Sequence, residues 1–245
     1  MASSVPDAIF AEPRLARIYD AVDDDRSDLD AYLAMADEFG ARSVLDIGCG
    51  TGTLACLLAQ RGRDVTGADP AEASLDVARG KPGASRVRWL HTTAADLPTL
   101  RVELAVMTGN VAQVFLTDQD WAAALAAARR ALRPGGRLVF ETRDPAREAW
   151  REWDSTRRRL HIPDVGEVET WTELTDVDGS LVSFRTTFVF ASDGATLTSD
   201  STLRFRDRDE LTSSLTAAGF TVDDVRDAPD RPGREFVFIT RRPFI

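Results

Sequence analysis

The stretch SVLDIGCGTGTLACLLAQRG at 43–62 sets Gly48, Gly50 and Gly52 just after Asp46, where a β-branched, apolar run gives way to a helix-like one. Leu54, Leu57 and Leu58 recur at helical spacing. A strand, a tight turn and a helix in that order aim several backbone N–H groups and the positive end of a helix dipole into one small space. Glycine in the turn lets a ligand approach the main chain. The Asp46 carboxylate at the strand end is placed to hold the loop or to meet a cationic ligand group. The other groups with chemical potential are Asp69 in VTGADP, Asp96 in AADLP, Asn110 in TGNVAQ, and the two histidines, His91 and His161.

The elements that must carry these groups follow from periodicity. Helices are expected over 14–20 and 28–39, the latter with an apolar stripe of Leu29, Tyr32, Leu33, Ala36 and Phe39. After the glycine loop come strand 64–69, helix 71–79, strands 86–90 and 103–107, helix 119–132, strand 137–142 and helix 146–152. Alternating β and α units predict a doubly wound, mostly parallel sheet. The helix ending at Leu132 is stopped by Pro134, Gly135 and Gly136, read as a loop that admits the next strand. From 166 the rhythm changes to strict alternation rich in Thr, Val and Phe, with Asp178-Gly179 and Asp193-Gly194 as hairpin turn signals. The parallel pattern resumes with helix 207–218 and strands 220–226 and 235–240. The predicted fold is therefore α/β, with a seven-stranded Rossmann-like sheet and an antiparallel β insertion after the fifth strand. Its expected parts are an N-terminal helical lid at 1–40, a cofactor-binding domain at 41–149 and 206–245, and an insertion at 150–205 that caps the substrate.

Composition narrows the partners. The 245-residue chain carries 40 acidic and 30 basic residues, a net charge of −10, which disfavours a nucleic-acid partner because phosphate contacts need clustered positive charge. Lys81 is the single lysine. Cys49 and Cys56 lie on one segment without His or Cys at metal-ligand spacing, so reduced thiols and no metal are expected. The start, MASSVPDAIF, lacks a basic, apolar leader, and no run approaches the ~18 apolar residues of a membrane span, which predicts a soluble, cytoplasmic protein with no membrane partner; a monomer or homodimer is expected.

VLDIGCGTG resembles the first motif of the class I S-adenosylmethionine-dependent methyltransferases. The similarity continues through VTGADP, AADLP, ELAVMTGNVAQVF, ALRPGGRLVFETRDP and DELTSSLTAAGFTV, in order, over about 40–240. It implies that Asp69 binds both ribose hydroxyls of S-adenosyl-L-methionine and that Asp96 meets the adenine amino group. The implied cofactor site adds Asp46, Gly48, Cys49, Gly50, Pro70, Ala95, Leu97 and Met107. In similar small-molecule enzymes an N-terminal helix folds over the cofactor, so Tyr19 and Arg26 are candidates for the methionine carboxylate. Arg26 has a competing role in ion pairs with Asp23, Asp24 or Asp25.

The acceptor is expected to be a small molecule. Asn110 and His161 are the candidate catalytic groups, and Trp150, Trp153, Asn110 and Gln113 the candidate substrate contacts, with an aromatic-lined pocket walled by the insertion. Phe184, Phe188 and Phe190, at strand spacing, read as core. Two other readings stay open: a nicotinamide-dinucleotide oxidoreductase, which would use Asp69 but calls for GxGxxG where this loop has Gly48-x-Gly50-x-Gly52, and a non-catalytic member of the fold.

Overall fold

A computed structural model describes residues 5–23, 25–153 and 155–244. Two short helices, α1 (Ala8–Ala11) and α2 (Pro13–Val22), and a third, α3 (Asp28–Glu38), precede the first strand. The alternating units then run β1 (Ser43–Ile47), α4 (Thr53–Gln60), β2 (Asp64–Asp69), α5 (Glu72–Arg79), β3 (Val87–His91), β4 (Val102–Met107), α6 (Asp118–Ala131) and β5 (Leu132–Arg143). Four strands follow, β6 (Arg158–Ile162), β7 (Gly166–Asp178), β8 (Leu181–Phe190) and β9 (Thr196–Arg204). The chain closes with α7 (Arg208–Ala217), β10 (Thr221–Asp227) and β11 (Glu235–Arg241).

The main sheet has seven strands in the order β10-β11-β5-β4-β1-β2-β3. Pairings from β3 to β5 are parallel, and β11 runs antiparallel to both β5 and β10. Each face is covered by helices, as the near-continuous burial of β1 and β4 requires. On one face Trp121 and Leu125 of α6 and Leu211 and Leu215 of α7 pack on Ala105, Leu138 and Phe140. On the other, Leu29 and Leu33 of α3 and Leu54 and Leu58 of α4 pack on Val44, Val65 and Val106. The chain reverses direction across the sheet between β1 and β4, and ligands of such folds lie outside the strand C-terminal ends there.

The insertion is a separate antiparallel sheet in sequence order, β6-β7-β8-β9. Its inner face is covered by the N-terminal helices: Leu15 and Ile18 of α2 share a core with Ile162, Val168, Phe188 and Phe190. The Ile9 N–H donates to Ser199 Oγ at 3.0 Å, and Ser74 Oγ of α5 donates to the Phe10 carbonyl at 2.9 Å, so α1 and α2 bridge the two sheets.

Three boundaries differ from expectation. Helix 146–152 is instead two 3₁₀ turns, Pro145–Arg147 and Ala149–Glu152, because Glu148 between them takes a left-handed conformation at φ +44° that no α-helix continues through. The Pro134-Gly135-Gly136 loop is a bulge inside β5: pairing with β4 jumps from Val102↔Leu132 to Leu104↔Arg137, while the Gly135 N–H and Gly136 carbonyl bond to Arg242 at 2.8 Å each. A first short helix, α1, precedes the expected lid helix. Among the described residues no helix is long and apolar enough to cross a membrane.

Candidate functional site

The loop after β1 is shaped by what its glycines exclude. Gly48 and Gly52 have φ of +71° and +76°. A Cβ on Gly48 would stand 2.7 Å from Val111 Cγ2, and one on Gly52 2.5 Å from Trp89 Cη2, so both conformation and space demand glycine. Gly50 faces open space, leaving its side of the loop free for a ligand. Asp69, at the end of β2, fastens this loop: its Oδ2 accepts the Gly50 N–H and its Oδ1 the Ala71 N–H, both at 2.8 Å. Burial raises the Asp69 pKa, and these two backbone donors oppose the rise. Each oxygen keeps a lone pair after these bonds.

Asp46, between Gly67 of β2 and Val106 of β4 in register, is 1 % exposed. Burial, and then the nearby Asp69, push its carboxyl up to about 7, against the field of Arg26 and the Ala55 backbone N–H. Its Oδ1 has no hydrogen-bond partner among the described residues. A buried carboxylate oxygen without a donor leaves a favourable contact unmade, and a cationic ligand group would supply it. Cys49 beside it is a free thiol whose pKa burial pushes well up, so it serves as a small apolar wall and not as a nucleophile.

The N-terminal helices lie over this loop. Thr51 Oγ1 donates to Asp20 Oδ1 at 2.6 Å, and Lys81 Nζ lies 2.6 Å from Asp20 Oδ2 while donating to Thr53 Oγ1 at 2.7 Å and Thr51 Oγ1 at 3.1 Å. The single lysine of the chain thus pins α2 to the glycine loop. Tyr19 packs its ring 5.5 Å from Phe10, and burial pushes its phenol up to about 12. Arg26 forms a two-point contact with Asp28, Nε to Oδ1 at 3.2 Å and Nη2 to Oδ2 at 3.3 Å. That pairing differs from the expected partners Asp23 and Asp25; Asp24 lies outside the described residues. The field of Arg26 reaches both Tyr19 and Asp46, so the lid pair and the β1 acid share one electrostatic environment.

Asp96 and Ala95 are exposed on the loop after β3, where Thr93 Oγ1 donates to Asp96 Oδ2 at 2.7 Å, and Pro70 is half-buried at the end of β2. Met107 and Leu97 belong to the sheet core, so their side chains are spent on packing and Met107 offers the site only its backbone.

Beyond β4 lies a buried polar network that the sequence did not announce. Glu141 of β5 accepts the Gly109 N–H at 2.6 Å and the Asn110 N–H at 3.2 Å on Oε1, and the Tyr32 hydroxyl on Oε2. Asn110, left-handed at φ +61°, donates through Nδ2 to Glu235 Oε1 at 3.4 Å, while its buried Oδ1 has no partner. Gln113 accepts from Arg143 Nη1 at 2.9 Å and its Nε2 is unpartnered. Glu235 in turn takes Arg231 Nη1 at 2.7 Å. A lone tyrosine and two lone glutamates have no sequence period that links positions 32, 141 and 235. Burial of Glu141 within an apolar strand was the one available signal.

A cavity of about 290 Å³ opens beside this network, lined by Arg143, Ala149, Glu152, Trp153, Arg231, Arg234 and Glu235. Trp153 lines it, with Phe184 edge-on at 4.8 Å. Trp150 does not: its indole is buried edge-on against Phe205 at 4.6 Å, packed with Val182, which corrects its expected role as a substrate contact. Phe188 and Phe190 are core, as expected, whereas Phe184 is half-buried beside Trp153. His161 is exposed on the edge strand β6 opposite Glu167 and is not brought to the buried cluster around Asn110, because odd positions of that strand face solvent. His91 bonds the Pro70 carbonyl at 2.9 Å at the surface.

Residues 44–136 match the model of a methyltransferase domain. This segment of the chain is therefore similar to a methyltransferase domain. An uncharacterized methyltransferase of Mycobacterium tuberculosis is 36% identical over 140 residues, covering 51% of this chain and 53% of the relative. A ubiquinone biosynthesis O-methyltransferase of Roseobacter denitrificans is 36% identical over 118 residues, 47% of this chain and 46% of the relative. The chain thus spans about half the length of these relatives. In three dimensions the match is longer: an S-adenosylmethionine-dependent methyltransferase from Clostridium acetobutylicum superposes with a TM-score of 0.76 at 17% identity, covering 95% of this chain and 99% of the other. A cofactor-bound amino pentose methyltransferase from Micromonospora echinaspora gives 0.70 at 22% identity, covering 92% and 96%. The matched segment includes the glycine loop, Asp46 and Asp69. The insertion and the Arg143 cavity lie outside the matched 44–136 segment.

Proposed function

We propose that this chain transfers the methyl group of S-adenosylmethionine to a small-molecule acceptor. The reading rests above all on the unpartnered Asp46 Oδ1, buried beside an open Gly50 and the Asp69 carboxylate. That donor-poor cluster suits a ligand carrying an ammonium, two vicinal hydroxyls and no phosphate. A dinucleotide would bring its pyrophosphate to two buried carboxylates. The neighbours favour a small acceptor: one acts on an amino pentose and another was crystallised with 1,6-didemethyltoxoflavin and S-adenosylhomocysteine.

When bound, the cofactor supplies an electrophilic methyl on a sulfonium, and the protein's task is to align an acceptor lone pair with it. Asp46 would hold the methionine ammonium, Asp69 the ribose hydroxyls through its remaining lone pairs, and Asp96 the adenine amino group. Tyr19 and Arg26 would close over the methionine carboxylate from the lid. The turn at 109–113 would form the wall between cofactor and acceptor, held by Glu141 from behind. Asn110 Oδ1, buried and unpartnered among the described residues, would accept a hydrogen bond from an N–H or O–H of the acceptor. No general base is assigned; an amine that is already neutral needs none.

Calorimetry tests the assignment. In Asp69→Ala, loss of two charge-assisted hydrogen bonds, about 2–5 kcal/mol together, should weaken S-adenosylmethionine binding at least ~30-fold. Circular dichroism verifies that the sheet persists. Undiminished affinity in the variant, or wild-type protein that binds NAD but not S-adenosylmethionine, overturns the reading.

A further inference from the structure

We propose that the acceptor site is the cavity at the C-terminal end of β5, and that it takes a small planar acceptor bearing a carboxylate, which Arg143 anchors. The inference rests on the methyl-transfer reading for the direction in which the acceptor must face, but its chemistry comes from the cavity itself.

The cavity's ionic groups are not equivalent. Arg234 is 2.5 Å from Glu152 and Arg231 is 2.7 Å from Glu235, with Asp230 a further 3.5 Å neighbour of Arg231. Both lining carboxylates therefore already hold a guanidinium. Arg143 is different: it is the least exposed of the three arginines, its Nη1 donates to the neutral Gln113 amide, and its nearest carboxylate, Glu235, stands at 3.7 Å, beyond a hydrogen bond. Glu141 acts on it only through its field, since both of its oxygens are taken by Tyr32, Gly109 and Asn110. A buried guanidinium has five N–H donors in a planar fork that fits a carboxylate at two points. Among the described residues no carboxylate comes within hydrogen-bond distance of that fork, Glu235 approaching Nε only to 3.7 Å. Burial accordingly works against its charge.

Two further observations place the acceptor. Gln113 ties Arg143 to the turn after β4, and Val111 of that turn lies against Gly48, so one turn borders both the cofactor loop and the cavity. Trp153 offers an aromatic wall beside Arg143, whose guanidinium carbon is 5.7 Å from its ring centroid. A cavity of about 290 Å³ admits a one- or two-ring molecule. A cationic amine acceptor would instead call for a lining carboxylate without an arginine on it, and both Glu152 and Glu235 are engaged.

The test uses the full chain with S-adenosylhomocysteine present and reads quenching of tryptophan fluorescence, confirmed by calorimetry, with three matched probes: benzoate, benzamide and benzylamine. Benzoate should bind at least tenfold more tightly than either of the others. Arg143→Gln should abolish that preference and Arg143→Lys should keep part of it, while the affinity for S-adenosylmethionine stays within about twofold of wild type in both. Equal binding of the three probes, a preference for benzylamine, or benzoate binding untouched in Arg143→Gln overturns the anchoring role. Wild-type protein that fails to bind S-adenosylmethionine would count against the methyl-transfer reading instead, and the probe ranking would still be read from Arg143 and its variants.

Discussion

Asp46 makes a pH-dependent prediction whose size can be worked from its surroundings. Its carboxyl is raised from 3.8 to about 7 by burial and by Asp69, so between those values the native state holds a proton that the unfolded chain has released. Stability contributed by the proton is fully present below about pH 4 and is lost as pH rises toward 7. At 1.36 kcal/mol per pH unit, the window corresponds to about 4 kcal/mol at its full extent. Asp46→Asn has nothing to lose across it. Urea unfolding of wild type and variant at intervals from pH 4.5 to 8 should give a stability difference that moves in favour of Asn by several kcal/mol. Taking the difference cancels the repulsion of the other acidic groups, which both proteins share. A cationic ligand group at Oδ1 would restore the carboxylate, so binding of S-adenosylmethionine at pH 6 should release close to one proton. Calorimetry in phosphate and in a buffer of larger ionisation enthalpy measures it, and the release should vanish in Asp46→Asn. A flat stability difference between pH 4.5 and 8 would refute the claim that Asp46 is buried without a partner.

Three more outcomes follow from the packing. Lys81→Met removes the 2.6 Å ion pair that pins α2 and should cost about 1 kcal/mol of stability together with a few-fold loss of cofactor affinity, read by thermal unfolding and calorimetry. Trp150→Ala empties a buried site against Phe205 and should destabilise by about 3–5 kcal/mol in urea unfolding, while Trp153→Ala should chiefly raise the acceptor KM. Deleting residues 1–27 should leave the seven-stranded sheet folded but strip Leu15 and Ile18 from the insertion's core, removing about 3–6 kcal/mol of apolar burial. Hydrogen exchange in β7 and β8 should then accelerate; protection equal to the full chain would show that the lid is not part of that core.

The parts legible from sequence were those whose cause is local. The glycine spacing, the apolar strand before it and the leucines after it are set by backbone sterics and by burial on one face, and the 64–69 strand was placed to the residue. The helix expected at 146–152 is broken by the left-handed Glu148, which the residue type does not display, since Glu has ordinary helix propensity. Bulging at Pro134-Gly135-Gly136 escaped because a register jump needs the partner strand to define it.

Site groups split the same way. Asp46, Asp69 and the glycines lie within one βαβ unit, so their order along the chain fixes their order in space. Glu141, Tyr32, Arg143 and Glu235 converge from α3, β5 and β11, and only the antiparallel return of β11 against β5, with Glu235 opposite Arg143 in register, brings the last two together. That pairing explains why the proposed cofactor half of the site could be read from motifs and the proposed acceptor half could not. The proposed cofactor half is built on sequence-adjacent turns within the matched 44–136 segment. By contrast, the proposed acceptor half is assembled by the sheet edge and the insertion, where a change at one position, such as Glu235 opposite Arg143, would alter the charge around that arginine without disturbing the glycine loop.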